Sequence, residues 1–330
     1  MTRPQVSAVI VAWNAGDTLV TCVESLRDSA RRADVTVQIV VVDNASSDQA
    51  VENLSLELGD VVVRNAVNAG YGVAATQGIA RSDAQWILLA NPDLVVDRLF
   101  IASLLEAAER AAPEVATLVP ELRFAARPDM VNCRGLTVDE IGVPAEVDAG
   151  SGVTRGEAST ARILGGSSGC CLLRAAPVRA LGGPEPAFFA YLEDVDLALR
   201  LRCAGYGAVF VPGAIAFHEG SASTGTRSPL KVHLVARNRR LLFRLHGPRS
   251  LRATGWRALT DLAHAAYSTL GTPVAPWAGR LEALRFRRYA AFLRRSRKRA
   301  EPCRTEFERP PRASLSATLR RKRTVVAEDG

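Results

Sequence analysis

At 330 residues, 48% of them apolar and with a net charge of +8, the chain has the composition of a globular protein, and it exceeds the roughly 250–300 residues at which one core stops growing, so one large domain with an appendage is expected. The charge is uneven: Arg285, Arg287, Arg288, Arg294, Arg295, Arg297, Lys298, Arg299 and Arg304 face only Glu301 in the same stretch, and with no recognition motif beside them the excess does not argue for nucleic acid binding. Cys22, Cys133, Cys170, Cys171, Cys203 and Cys303 show neither a C-x-x-C pair nor a zinc spacing, and no uncharged apolar run approaches the roughly 18 residues of a spanning helix.

Val6 to Trp13 is an apolar, β-branched run and predicts a first buried strand. Asn14-Ala15-Gly16-Asp17 ends it as a turn, with Asp17 placed to cap a helix whose apolar face is Leu19, Val20, Cys22, Val23 and Leu26. Gln38 to Val42 predicts a second strand, followed by Asp43-Asn44-Ala45-Ser46-Ser47-Asp48, which is dense in side chains that close their own turns. Val61 to Arg64 reads as a third strand. The glycines of Asn68-Ala69-Gly70-Tyr71-Gly72 then open a helix reaching about Ser82, and exposed amides at such a start suit phosphate. This is not a G-x-G-x-x-G fingerprint and does not follow the first strand, so a dinucleotide site is poorly supported.

Trp86 to Ala90 predicts another buried strand, and Asn91-Pro92-Asp93 stands at its carboxyl end, where open α/β sheets hold ligands. Alone, those three residues read first as a turn ahead of a helix capped by Asp97. Asp93 is also a hard oxygen donor suited to a divalent cation. Val115 to Val119 predicts a fifth strand, so strands alternate with helices in a parallel, doubly wound first half. From Arg123 to Thr160 periodicity fades into long loops or a short β excursion. Ile163 to Arg174 reads as a strand with a glycine-rich entry, and Cys170 and Cys171 on its opposite faces are packing residues.

Glu193, Asp194 and Asp196 crowd the first turn of a helix that Gly205 ends. A helix dipole favours acids there for purely structural reasons, while the aromatic, glycine-rich lead-in from Gly182 to Tyr191 suits a carboxylate made more basic by enclosure. Both readings stand at this point. Ala208 to Pro212 predicts a strand. His218 follows at an apolar strand end, where a lone histidine is first of all structural. Ser221 to Ser228 is small and polar, as a lid would be, and Arg237-Asn238-Arg239-Arg240 on the next helix either reaches phosphate or forms a solvated face.

In this order the motifs Ile10 to Asn14, Asp43 to Asp48, Asn68 to Gly72, Asn91-Pro92-Asp93, Tyr191 to Leu197 with Arg200, and His218 resemble the family 2 glycosyltransferases, over about Val6 to Leu245. The nearest likeness is to the bacterial branch that adds rhamnose or related sugars to polyprenyl-linked or polysaccharide acceptors. The resemblance implies a GT-A fold, an α/β architecture with a Rossmann-like, mostly parallel mixed sheet flanked by helices, over residues 1–240. Residues 241–309 would form a basic amphipathic helical extension, and residues 310–330 a disordered tail. It implies an inverting transferase using a dTDP-, UDP- or GDP-linked sugar donor and a glycan or lipid-linked acceptor, in envelope or polysaccharide synthesis. Residue by residue, Val11, Ala12, Trp13 and Asp43 would meet the nucleobase; Asn44, Asn68, Gly70, Tyr71 and Arg237 would line the nucleotide-sugar pocket; and Asn91 would face ribose or sugar. Asp93 would bind Mg²⁺ or Mn²⁺ with His218 as a further ligand, Asp194 would be the general base, and Glu193 would touch the acceptor.

Three positions depart from the family pattern: Trp13 where tyrosine is common, Asn91 in place of the first acid of D-x-D, and Glu185 in Gly182-Gly183-Pro184-Glu185-Pro186 where Gly-Gly-Phe-Asp-Glu is usual. Two other functions compete. A sugar nucleotidyltransferase would need a basic, glycine-rich loop near the amino terminus, and Asn14 to Asp17 has no Lys or Arg. An inactive glycan- or nucleotide-binding protein has no need of Asp93 and Asp194 together. Because Met1 to Pro4 leads directly into a strand, no signal peptide is expected; the protein should be cytoplasmic, or peripheral on the inner face of the cell membrane, with the basic aromatic segment against anionic lipid.

Overall fold

The computed structural model describes residues 5–139, 143–153, 163–219, 228–247, 251–268 and 275–285. The predicted lid at 221–227, the basic run beyond Arg285 and the tail at 310–330 lie outside them.

In chain order the elements are β1 (Val6–Ala12), α1 (Thr18–Arg32), β2 (Val37–Asp43), β3 (Val61–Arg64), α2 (Tyr71–Arg81), β4 (Trp86–Ala90), β5 (Leu94–Val96), α3 (Phe100–Arg110), β6 (Val115–Phe124), β7 (Arg127–Cys133), β8 (Leu136–Val138), β9 (Pro144–Glu146), β10 (Cys170–Arg174), α4 (Ala175–Ala180), a 3-10 turn (Pro186–Phe188), α5 (Glu193–Cys203), β11 (Gly207–His218), α6 (Pro229–His246), α7 (Leu251–Ser268) and α8 (Ala275–Arg285). Among the described residues a nine-stranded sheet runs β3-β2-β1-β4-β10-β6-β11-β5, with β7 alongside β6. β1 lies parallel to β2 and β4, and β2 to β3. β10 runs antiparallel to β4 and β6, and β11 parallel to β6.

β1 and β4 are buried along their whole length, which is why they read as unbroken apolar runs. Val6, Ala8 and Ile10 pack with Leu19, Cys22, Val23 and Leu26 of α1 and Phe100, Ile101 and Leu104 of α3 on one face of the sheet. Val9, Val40 and Leu89 meet Ile79 of α2, Val178 of α4, and Leu197 and Leu201 of α5 on the other. Each large aliphatic or aromatic side chain so covered contributes about 1.5–3 kcal/mol. Cys170 belongs to the first face and Cys171 to the second, as alternation requires.

Several expectations change in detail. Asp97 does not cap α3, which starts at Phe100 without a side-chain cap; the Asp97 carboxylate instead accepts from the Leu99 amide at 2.9 Å. Asp17 stands at the N-cap of α1 but makes no side-chain cap bond. The strand expected from Ile163 begins only at Cys170, after a turn closed by the Cys170 amide on the Ser167 carbonyl at 3.1 Å. The weakly patterned stretch after Arg123 holds β7, β8 and β9. α6 runs through residue 240 without a break.

Candidate functional site

The parallel strands β1 to β4 bring their carboxyl ends to one edge of the sheet. β10 runs the other way, so the loop entering it, Ser167-Ser168-Gly169, reaches that same edge. β11 ends there too, because it is parallel to β6, and its His218 pairs in register with Leu94. Residues distant in sequence thus meet at the edge the sequence marks through Asn91-Pro92-Asp93.

On one side lies a polar platform. Asp43 is buried at the end of β2, its carboxylate accepting from the Ser46 amide at 2.9 Å and meeting the Arg64 guanidinium at 3.2 Å. Trp13 is half-buried at the end of β1. Asn44 is buried; its amide donates to Asn68 Oδ1 at 2.8 Å, and its own oxygen accepts from Asn65 Nδ2 and the Ala69 amide, both at 3.0 Å. Asn68 Oδ1 also accepts from the Gly70 amide at 3.0 Å. Asn44 and Asn68 therefore shape the turn that opens α2. Gly70 has φ +84, and a Cβ there would sit 2.6 Å from the Phe189 ring, so glycine is required for both reasons. Tyr71 points across the edge, its hydroxyl donating to the Ser168 carbonyl at 2.9 Å.

At the centre, the Asn91 amide nitrogen is held by the Gly169 carbonyl at 2.8 Å, and the Asn91 carbonyl accepts from the buried Cys22 thiol at 3.4 Å. Asp93 is buried, with Oδ1 at 3.2 Å from His218 Nε2. The other ring nitrogen, Nδ1, lies 3.2 Å from Asn132 Oδ1, and Asn91 Nδ2 lies 3.4 Å from Nε2. A proton on Nδ1, donated to Asn132, turns the Nε2 lone pair toward the Asp93 carboxylate. With that tautomer, His218 Nε2 and Asp93 Oδ1, 3.2 Å apart, would both donate electron pairs to one divalent cation. The donor set fits a divalent ion. Among the described residues no group of three or more His, Cys, Asp or Glu side chains is placed to hold a metal.

Beyond lies the acid cluster of α5, in which three carboxylates have three different surroundings. Asp196 is fully buried and saturated: Arg200 Nε meets Oδ2 at 2.7 Å and His246 Nε2 meets Oδ1 at 2.7 Å. The same guanidinium donates to the carbonyls of Leu181 at 2.9 Å and Gly183 at 2.7 Å. Asp196 is therefore structural. Asp194 is half-exposed and accepts from the amides of Ser168 at 3.2 Å and Val195 at 2.8 Å. Burial raises its pKa, and those amides pull the other way. Glu193 is buried, and its Oε2 has no hydrogen-bond partner among the described residues. Burial, reinforced by the charge of Asp194, pushes its pKa up to about 8. Both carboxyls of the pair are thus raised, in surroundings that differ: Glu193 is buried without a partner on Oε2, whereas two backbone amides face Asp194, a difference of the kind that lets adjacent carboxyls take different roles.

The loop ahead of the pair is strained. Phe189, Tyr191 and Leu192 have φ of 63°, 68° and 68°, each a non-glycine residue in a region costing on the order of 1–3 kcal/mol. Arg237, offered by sequence as a nucleotide-sugar residue, is buried beneath this loop instead. It donates to the carbonyls of Ala187 at 3.1 Å and Phe188 at 2.6 Å, and pairs with Glu282 of α8 at 3.2 Å. It is not part of a solvated face.

The sequence profile of glycosyl transferase family 2 matches residues 7–179. The chain belongs to that family. It is 31% identical over 253 residues to the N-acetylglucosaminyl-diphospho-decaprenol L-rhamnosyltransferase of Mycobacterium tuberculosis, covering 70% of this chain and 80% of that one. It is also 33% identical over 116 residues to the succinoglycan biosynthesis protein ExoO of Rhizobium meliloti, over 34% of this chain and 32% of the relative. Among solved structures, GalNAc-T7 with UDP, GalNAc and Mn²⁺ superposes with a TM-score of 0.54 at 18% identity; the match covers 74% of this transferase but spans only 48% of GalNAc-T7. The mannosyltransferase PcManGT of Pyrobaculum calidifontis, in complex with GDP-Man and Mn²⁺, gives 0.50 at 16% identity over 90% and 85% of the two chains. These two likenesses establish the fold as GT-A.

Site residues that sequence reasoning missed are Ser168, Asn132 and Asn238. Ser168 holds Asp194 through a backbone amide, which any residue type supplies. Asn132 lies in the stretch of weak periodicity, and Asn238 among arginines on a helix, where nothing marks an inward-facing amide.

Proposed function

We propose that this transferase moves L-rhamnose from a nucleoside diphosphate donor to a hydroxyl of an N-acetylglucosaminyl diphosphate carried on a polyprenol, inverting the anomeric centre. One observation carries the reading: the loop Ser168-Gly169 ties both chemistries together, its Ser168 amide on Asp194 at 3.2 Å and its Gly169 carbonyl on the Asn91 amide at 2.8 Å, next to Asp93. The base and the cation-binding edge are therefore held by adjacent residues of one loop, as a single displacement needs. The rhamnosyltransferase relative, matched over 80% of its length, supports the choice of sugar and acceptor.

In this reading Trp13 packs on the nucleobase and Asp43 accepts from it. Asp93 and His218 would hold Mg²⁺ or Mn²⁺, which supplies charge neutralisation for the departing diphosphate when bound. Asp194 takes the proton of the acceptor hydroxyl as that oxygen bonds to the anomeric carbon. The bond from that carbon to the diphosphate oxygen breaks on the opposite face, and its electron pair leaves with the phosphate. Glu193, protonated and buried, donates to an acceptor oxygen and leaves the negative charge of the pair on Asp194.

A polyprenyl acceptor puts the reaction at a membrane surface, and α7 and α8 suit one. Three of their charged residues turn inward: Asp261 meets Arg239 at 3.4 Å, Arg257 lies over Phe243 at 3.6 Å, and Arg280 is buried. Their outer faces present Trp256, Leu259 and Leu262, and Trp277, Leu281 and Leu284, all exposed. This inverted pattern, followed in sequence by the arginines from Arg285, fits anionic lipid. No helix among the described residues is long and apolar enough to cross a membrane. Flotation with anionic and neutral vesicles tests the surface: binding to anionic vesicles, lost in a Trp256→Ser, Trp277→Ser variant, is expected, and a concentration-dependent dimer with no vesicle binding overturns it.

The transferase reading is tested by incubating the protein with rhamnose donors linked to dTDP, UDP or GDP, Mn²⁺, and a short-chain N-acetylglucosaminyl diphosphate prenol. Formation of a disaccharide product supports it. Stable nucleotide binding without product from any donor would indicate a binding protein that keeps the fold.

A further inference from the structure

Five consecutive carbonyls lead into the acid pair, and each accepts a hydrogen bond from an element outside the loop. Asn238 of α6 is fully buried, and its side-chain amide reaches the carbonyls of Phe188 at 2.8 Å, Ala190 at 2.7 Å and Tyr191 at 2.7 Å. Its neighbour Arg237 reaches those of Ala187 and Phe188 and donates Nε to Asn238 Oδ1 at 2.9 Å. The remaining carbonyl, Phe189, accepts from the Gly72 amide of α2 at 3.2 Å. The segment so held contains two of the three strained residues, Phe189 and Tyr191, and leads directly into the third, Leu192, which is in the left-handed region and is the N-cap of α5 with no side-chain cap of its own. The next two residues are Glu193 and Asp194.

We infer that Asn238 is a positioning residue for transfer: by holding the carbonyls of a backbone that would otherwise relax to negative φ, it fixes where α5 starts and therefore where Asp194 meets the acceptor. A short polar side chain suits the task. An amide shares two N–H donors among three converging carbonyls and accepts from Arg237 Nε on its own oxygen, whereas a hydroxyl offers one donor and a carboxylate none. Arg237 supports it from the adjacent position, so the two neighbours on α6 work on one loop. The donor side is shaped by Asn44, Asn65 and Asn68 and touches this loop only at Phe189, through Gly70 and Gly72, and the Phe189 carbonyl is not among those that Asn238 holds. Loss of Asn238 should therefore affect chemistry and spare donor binding.

This inference rests on Asp194 being the base, so Asp194→Asn is measured alongside. In steady-state transfer assays at a temperature where every variant is folded, Asn238→Ala should lower kcat 10- to 100-fold, with donor KM and the Mn²⁺-dependent affinity for nucleoside diphosphate within about two-fold of the parent. Asn238→Ser, which keeps one donor and is the fallback if the alanine variant does not fold, should lie between. Unchanged kcat in the folded variants, or kcat and donor affinity falling together, overturns the inference. Full activity in Asp194→Asn would instead refute the base assignment, whatever the Asn238 variants do.

Discussion

Glu193 carries a pH signature that can be worked out in advance. Burial and the adjacent Asp194 raise its pKa from 4.5 to about 8 in the fold. An unfolded chain titrates near 4.5. Between those pH values the folded state keeps a proton that the unfolded state has lost, so stability falls as pH rises, by up to about 1.4 kcal/mol per pH unit. The contribution is fully present below about pH 4.5 and gone above about pH 8, a few kcal/mol in all. Glu193→Gln keeps the shape and the donor of the protonated acid and cannot ionise. Urea unfolding of parent and variant from pH 5 to pH 9 should show similar stability at pH 5 and a variant more stable by a few kcal/mol at pH 9. Titrating groups away from the pair are common to both proteins and largely cancel in the difference, which therefore reports on Glu193 together with its neighbour Asp194. Two curves that stay parallel across this range would refute the claim that Glu193 is protonated at neutral pH, and with it the division of labour between the two acids.

Asp194→Asn should lower kcat by about 10²- to 10⁴-fold while nucleoside diphosphate with Mn²⁺ still raises the melting temperature; transfer and binding assays on one preparation decide it. Arg200→Ala leaves the buried Asp196 carboxylate short of a partner and frees the Leu181 and Gly183 carbonyls, so it should cost about 3–5 kcal/mol in urea unfolding. A loss below about 1 kcal/mol would mean that His246 alone satisfies Asp196. Gly70→Ala, forced against the Phe189 ring, should weaken nucleotide binding and transfer together, measured by calorimetry and product formation.

Where a segment had one structural reason for its composition, the sequence was readable. β1 and β4 lie inside the sheet with helices packed on both faces, so both their faces are apolar, and their place at the site edge followed. α5 was bounded correctly because Gly205, with φ +91, ends it. Where two demands met, reading failed. β6 continues past Pro120 and β11 past Pro212-Gly213, residues that normally end a strand, because a register shift between Val211 and Ile215 absorbs them. The glycines before Cys170 looked like the entry to a strand, but they fold back so closely that a Cβ on Gly166 would lie 2.3 Å from that of Cys171. At the site, the acids were visible as a cluster, yet their charge states depend on contacts from Ser168, Arg200 and His246 that no local pattern encodes. Arg237 and Asn238 differ from Arg239 and Arg240 only in the direction they face on α6, which depends on what packs against that helix.

The central claim is that Asp93, with His218, serves a metal-assisted transfer completed by Asp194. The most direct test is product formation from a nucleoside diphosphate rhamnose and the N-acetylglucosaminyl diphosphate prenol across a Mn²⁺ titration, for the parent and for Asp93→Ala. The account predicts product that rises with Mn²⁺, is abolished by chelation, carries the inverted anomeric configuration, and is absent in Asp93→Ala at every metal concentration. Equal product from Asp93→Ala, or from the parent under chelation, would contradict it.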